Sequence, residues 1–206
     1  MKLRLGFLAS HGGSNVQAIL DACRGGRLDA EPCVVISNNS DAMVLDRAMA
    51  ARVPAFHLSS HIHPDPARLD EAILAVLEKH RVNLIVLAGY MKKLGPKTLA
   101  RYRGRVLNIH PALLPKFGGQ GMYGHHVHEA VLAAGEEESG ATVHIADEEY
   151  DRGRILAQKK VPVMAGDTSD SLSERVLMVE HELYAETLQR IASGKIKLEG
   201  LKASRG

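Results

Sequence analysis

Asn108 and His110 stand two residues apart in the run Val106-Leu107-Asn108-Ile109-His110-Pro111. The apolar residues around them read as a short buried strand that the proline stops. Side chains alternate along a strand, so amide and imidazole project from one face at its carboxyl end. That is the end at which open parallel sheets hold ligands. An amide that donates to oxygen beside a ring that takes and gives protons suits carbonyl chemistry. Leu113-Leu114-Pro115-Lys116 follows, then a loop carrying Gly118, Gly119, Gly121 and Gly124.

Other segments hold residues that could serve the same chemistry. Ser10-His11-Gly12-Gly13-Ser14-Asn15 separates an apolar run from a helical pattern. Free N–H groups at a glycine-opened helix start bind phosphate, and the alternative is an ordinary tight turn. Neither the dinucleotide fingerprint nor the P-loop lysine motif is present, which favours a single phosphate over NAD or ATP. Downstream, Asp147-Glu148-Glu149-Tyr150-Asp151-Arg152-Gly153 forms an acidic turn after a strand that carries Thr142 and His144. A carboxylate beside His110 would orient the ring and favour its charged form. Asp151 is the preferred partner, although spacing alone does not separate it from Asp147, and a merely solvated loop is the plainer reading. Glu180 borders an apolar helical stripe, from which it could reach a cleft and hold an amine or stay outside paired with a surface cation. His125, His126 and His128 have spacing compatible with zinc, but three ligands in one place are needed and the cysteines are badly placed to help. No metal is expected.

The elements that must position these groups alternate. Strand patterns at 3–9, 33–37, 55–58, 84–88 and 106–110 are separated by helical patterns at 14–24, 42–51 and 66–80, which predicts a parallel sheet covered by helices. A short helix near 128–134 precedes two β-like runs at 141–146 and 155–163, joined by the acidic turn and so read as antiparallel. An amphipathic helix spans 170–192. The fold class is therefore α/β: a Rossmann-like open sheet, parallel in the N-terminal half, with antiparallel strands added and helices on both faces.

With 206 residues, one domain over 1–195 and a solvated tail over 196–206 are expected. The charge balance of 26 Lys and Arg against 24 Asp and Glu gives no reason to expect nucleic-acid binding. No stretch approaches the ~20 apolar residues of a membrane span, and the apolar start is too short for a signal peptide. Cys23 and Cys33 are read as reduced thiols of a cytoplasmic protein.

Together these residues resemble the phosphoribosylglycinamide formyltransferases, a branch of the folate-dependent formyltransferases. The resemblance is carried by Gly13-Ser14-Asn15, Leu87-Ala88-Gly89-Tyr90-Met91, Asn108-Ile109-His110-Pro111, Leu113-Leu114-Pro115-Lys116, Gly140-Ala141-Thr142-Val143-His144, Asp151 with Gly153, and Glu180-His181. The loop from Phe117 to Gly124, followed by Val127-His128, matches the glycinamide ribonucleotide branch in particular. What the resemblance implies is formyl transfer from 10-formyltetrahydrofolate to the amine of 5-phosphoribosylglycinamide in purine synthesis, without a metal, by a monomer or homodimer. It implies catalytic roles for Asn108, His110 and Asp151. It implies ribonucleotide binding by Gly13, Ser14 and Asn15 and by Leu177, Met178, Val179 and Glu180. It implies folate binding by Met91, Lys92, Lys93 and Leu94, by Asp147, Glu148, Glu149, Tyr150 and Asp151, and by Asn108. Arg68 stands near, but out of register with, an arginine that relatives turn toward folate.

The nearest rivals are a formyltetrahydrofolate deformylase and a methionyl-tRNA formyltransferase, each expected to need an added domain for which this length leaves no room. A zinc hydrolase built on the three histidines and a non-catalytic phosphate-binding module are the others.

Overall fold

A computed structural model describes residues 2–201. Among these residues seven strands form one sheet: β1 (Leu3–Leu8), β2 (Ala30–Ser37), β3 (Ala55–His57), β4 (Leu84–Leu87), β5 (Val106–His110), β6 (Glu138–Ile145) and β7 (Ile155–Pro162). Their order is β3-β2-β1-β4-β5-β6-β7. β1 to β5 run parallel, and β6 and β7 are antiparallel additions, as the patterns predict. Among the described residues six helices cover the faces: α1 (Ser14–Arg24), α2 (Met43–Ala50), α3 (Pro66–Lys79), α4 (Pro96–Arg101), α5 (His125–Ala133) and α6 (Ser169–Ala192).

Both faces are buried, so the inner strands are apolar almost throughout rather than alternating. On one face Val16, Ile19 and Leu20 of α1, Val44 of α2, Val131 of α5 and Leu172, Val176, Leu183 and Leu188 of α6 pack on Leu5, Phe7, Val86 and Leu107. On the other, Ile73 and Leu77 of α3, with Leu94 and Tyr102, pack on Leu8, Ile36, Ile85 and Val106.

Two expectations need correction. The patterns give no helix at 96–101, where α4 lies. Its apolar content is slight, and Asp70 of α3 caps it, accepting from the N–H groups of Lys97 (2.7 Å) and Thr98 (3.1 Å). A cap from 27 residues upstream of Lys97 leaves no local signal. The tail is the second. Leu198 is 6% exposed and belongs to the core, with Ile196 and Leu201 packed against it, so apolar burial anchors these three while Lys197, Glu199 and Gly200 between them are exposed. Residues 202–206 lie outside those described.

Among the described residues no helix is long and apolar enough to cross a membrane. Both cysteines are free thiols.

Candidate active site

A cavity of about 540 Å³ opens at the carboxyl ends of β1, β4 and β5. Sheet order reverses between β1 and β4, and that is where open α/β sheets leave a crevice. Its walls come from the β1–α1 turn (His11, Gly13, Ser14, Asn15), the segment after β4 (88–92), Asn108 to Pro111, the glycine loop (119–124), Tyr150 and Asp151, and Glu180.

The β1–α1 turn is built to leave N–H groups free. Gly13 takes a left-handed conformation with φ of 68° and provides no side-chain cap for α1. A Cβ there would also collide with Val44 of α2, so both backbone and packing require glycine. No acidic residue stands in the helix's first turn, which leaves its dipole for an outside anion. Asn15 turns inward, its Nδ2 donating to Glu180 Oε2 at 2.6 Å, while its buried Oδ1 has no partner. Glu180 is 7% exposed. It sits inside the cleft, not on the surface, and burial pushes its pKa up to about 7 against the opposing Asn15 hydrogen bond.

At the end of β5, Asn108 pairs with His144 and His110 with Thr142 across the β5–β6 ladder. His110 Nε2 donates to the Phe117 carbonyl at 2.7 Å, and Nδ1 lies 3.5 Å from Asp151 Oδ2. Asp151, not Asp147, is therefore the acid brought to His110. Its position is fixed further by the Gly119 N–H, which donates to Oδ2 at 2.9 Å. His144 Nδ1 lies 3.0 Å from the Ile145 carbonyl, which it reaches as a donor. Its Nε2 lies 3.2 Å from Asn108 Nδ2 and 3.3 Å from Asp151 Oδ1. Amide, two imidazoles and carboxylate thus form one cluster, and His144, which spacing only places nearby, links Asn108 to Asp151.

The charge expected on His110 is a correction. Burial pushes its pKa below the ordinary imidazole value, outweighing the Asp151 charge and the Phe117 carbonyl that pull it up. The resting ring is neutral near pH 7, a base rather than a charged donor. Asp151 moves the other way: burial raises it, but His144, the His110 charge and the Gly119 N–H together hold it below the usual carboxylate range.

A smaller annex of about 90 Å³ adjoins the cavity, lined by Leu87, Tyr90, Leu94 and Leu99 with Lys92, Lys93, Asp147, Glu149 and Tyr150. Tyr90, Lys92, Asn108, Tyr150 and Asp151 line both spaces. The annex thus sets an apolar patch beside two lysines and the carboxyl groups of Asp147, Glu149 and Asp151.

Most of the expected residues converge here. Met91 and Lys92 line the cavity, and Lys93 and Leu94 the annex. Glu148 lines neither. Of 177–180 only Glu180 lines the cavity: Met178 is 66% exposed, and Val179 packs on the core. Arg68 is exposed, 3.9 Å from Asp65, and lines neither space. The three histidines diverge, His125 toward Asp170, His126 toward Glu129 and His128 into the interior, where burial and the charges of His125 and His110 push its pKa down to about 4. Among the described residues no group of three or more His, Cys, Asp or Glu is placed to hold a metal.

Residues 3–188 match the model of the formyl transferase family. The chain belongs to that family. This formyl transferase is 39% identical over 195 residues to the chloroplastic phosphoribosylglycinamide formyltransferase of Arabidopsis thaliana, an alignment covering 94% of this chain and 67% of that protein. It is 37% identical to the phosphoribosylglycinamide formyltransferase of Escherichia coli, covering 93% of this chain and 88% of that one. The crystal structure of glycinamide ribonucleotide transformylase 1 from Symbiobacterium toebii superposes with a TM-score of 0.90 at 39% identity, covering 97% of this chain and 92% of that one. The chain also spans 19% of the length of the trifunctional purine biosynthetic protein adenosine-3 of Bos taurus, at 40% identity. It is an enzyme that transfers formyl groups.

Proposed function

We propose that this formyl transferase moves the formyl group of 10-formyltetrahydrofolate onto the amine of 5-phosphoribosylglycinamide, releasing tetrahydrofolate and the N-formyl ribonucleotide. The observation that carries the reading is the Asn108–His110–Asp151 cluster at the junction of two spaces, one ending at the phosphate-type turn and the other at an apolar slot with lysines. The phosphate meets Gly13, Ser14 and Asn15, Glu180 holds the sugar side of the ribonucleotide, and the folate ring enters the annex with its acidic tail toward Lys92 and Lys93.

The neutral amine attacks the formyl carbon, a carbon–nitrogen bond forms, and the carbonyl electron pair moves onto oxygen. The Asn108 amide stands beside His144 and donates an N–H to the developing oxyanion, typically worth ~3 kcal/mol. Neutral His110 takes the proton that the attacking amine loses, directly or through water. The imidazolium so formed is stabilised by Asp151 and by the adjacent oxyanion. On collapse the bond to the folate nitrogen breaks and His110 returns the proton to it, so the ring ends neutral. No covalent intermediate is needed, because the acceptor supplies the nucleophile. Holding both substrates in one cleft removes several kcal/mol of entropic barrier.

The test is the pH dependence of transfer, measured as kcat/KM for the donor at saturating acceptor. The wild type should lose activity toward acid with a midpoint below the ordinary imidazole value of ~6.5. His110→Ala should cut turnover by roughly 10²- to 10⁴-fold and abolish that limb while still binding ribonucleotide. Near-normal turnover by His110→Ala would reject the assignment.

A further inference from the structure

His11 has no role in the scheme above, yet it lines the cavity beside Gly13, Ser14 and Asn15. Its backbone is held in place: the His11 carbonyl accepts from Val44 N at 3.1 Å, and the preceding Ser10 N–H donates to the Gly89 carbonyl at 3.0 Å. Its side chain is exposed and makes no hydrogen bond or ion pair with another described residue. Among the described residues, the other cationic groups near the cavity are engaged elsewhere or belong to its annex side. The Arg47 guanidinium is turned to the Gly12 carbonyl at 2.7 Å and to Gln17 Oε1 at 3.3 Å, and it does not line the cavity. Lys92 also lines the cavity, at the side the cavity shares with the annex. His110 is engaged by Phe117 and Asp151. Asn15, 8% exposed, has a buried Oδ1 without a donor at this end, a place for a hydroxyl or N–H of the bound acceptor rather than for its phosphate.

A phosphate set on helix-start N–H groups keeps most of its charge, and a neighbouring imidazole is drawn into its protonated form by that charge. We infer that His11 is the cationic contact for the acceptor's phosphate, and so a residue that sets preference for phosphorylated over unphosphorylated acceptor. The inference rests on the reading of the acceptor as a ribonucleotide.

Two measurements on the full chain test it. One is the ratio of kcat/KM for glycinamide ribonucleotide to that for glycinamide riboside. The other is calorimetric affinity for ribose 5-phosphate, which needs no turnover. His11→Ala should lower both by about tenfold, the size of one partly solvated charge-assisted hydrogen bond. His11→Lys, which keeps a cation there, should recover most of each. An unchanged ratio and affinity in His11→Ala, or a lysine variant no better than the alanine, would overturn the inference. If neither acceptor is formylated while ribose 5-phosphate binding still depends on His11, the proposed reaction fails and the phosphate contact stands. If the ribonucleotide is formylated but ribose 5-phosphate affinity is indifferent to His11, the reaction stands and the phosphate contact fails.

Discussion

Glu180 and Asp151 share a cavity and are pushed to opposite sides of their ordinary ionisation. The difference lies in their partners: Glu180 has one neutral amide, whereas Asp151 has two imidazoles and a backbone N–H. For Glu180 the shift has a stability consequence. The folded chain holds its proton up to about pH 7 whereas an ordinary glutamate releases it near 4.5, so stability falls as pH rises through that window, by an order of about 3 kcal/mol from this group. Glu180→Gln keeps an acceptor for Asn15 and removes the titration. Denaturant unfolding should show the wild type losing stability between about pH 4.5 and about pH 7, and the glutamine variant losing much less. Equal pH dependence in both would show that Glu180 is not buried as described. The direction of the Glu180 side chain is not legible in the sequence, because its place at the edge of an apolar stripe fits either side. The His110 charge escapes the sequence for a related reason: a partner carboxylate is visible as a motif, whereas the depth of burial that outweighs it depends on the packing of 117–119 and β6.

Among the elements, the strand that sets Asn108 and His110 on one face is legible, since alternation and a terminating proline are local. So are the β1–α1 turn, marked by its paired glycines, and the antiparallel pair around the acidic turn. α4 is not, because what starts it is Asp70 of another helix. That cap positions more than α4. Gly95 sits so close to the Asp70 carboxyl that any side chain would collide with it, and Leu94 and Leu99 on either side line the annex. Asp70→Ala removes the acceptor of two N–H groups and the Thr98 hydroxyl. It should cost about 2–4 kcal/mol in unfolding free energy. The loosened 94–99 segment should raise KM for the folate donor more than KM for the ribonucleotide. Steady-state kinetics with each substrate varied in turn would show this, and equal effects on the two constants would detach α4 from the donor site.

Across the whole molecule, the sheet brings together groups from four distant stretches: 11–15, 88–94, 108–119 and 147–151, with Glu180 closing the cleft from α6. Alternating elements in the sequence predict the sheet and its crevice, and the catalytic pair at one strand end points to carbonyl chemistry. What no single segment conveys is that the crevice has two arms meeting at Asn108 and Asp151. A crevice with two arms suits transfer between two bound molecules. The most direct test follows the fate of an isotopically labelled formyl group when the protein is mixed with 10-formyltetrahydrofolate and glycinamide ribonucleotide. Transfer puts the label on the ribonucleotide's amine, mole for mole with donor consumed. Donor consumption that releases the label as formate and leaves the ribonucleotide unmodified would contradict it.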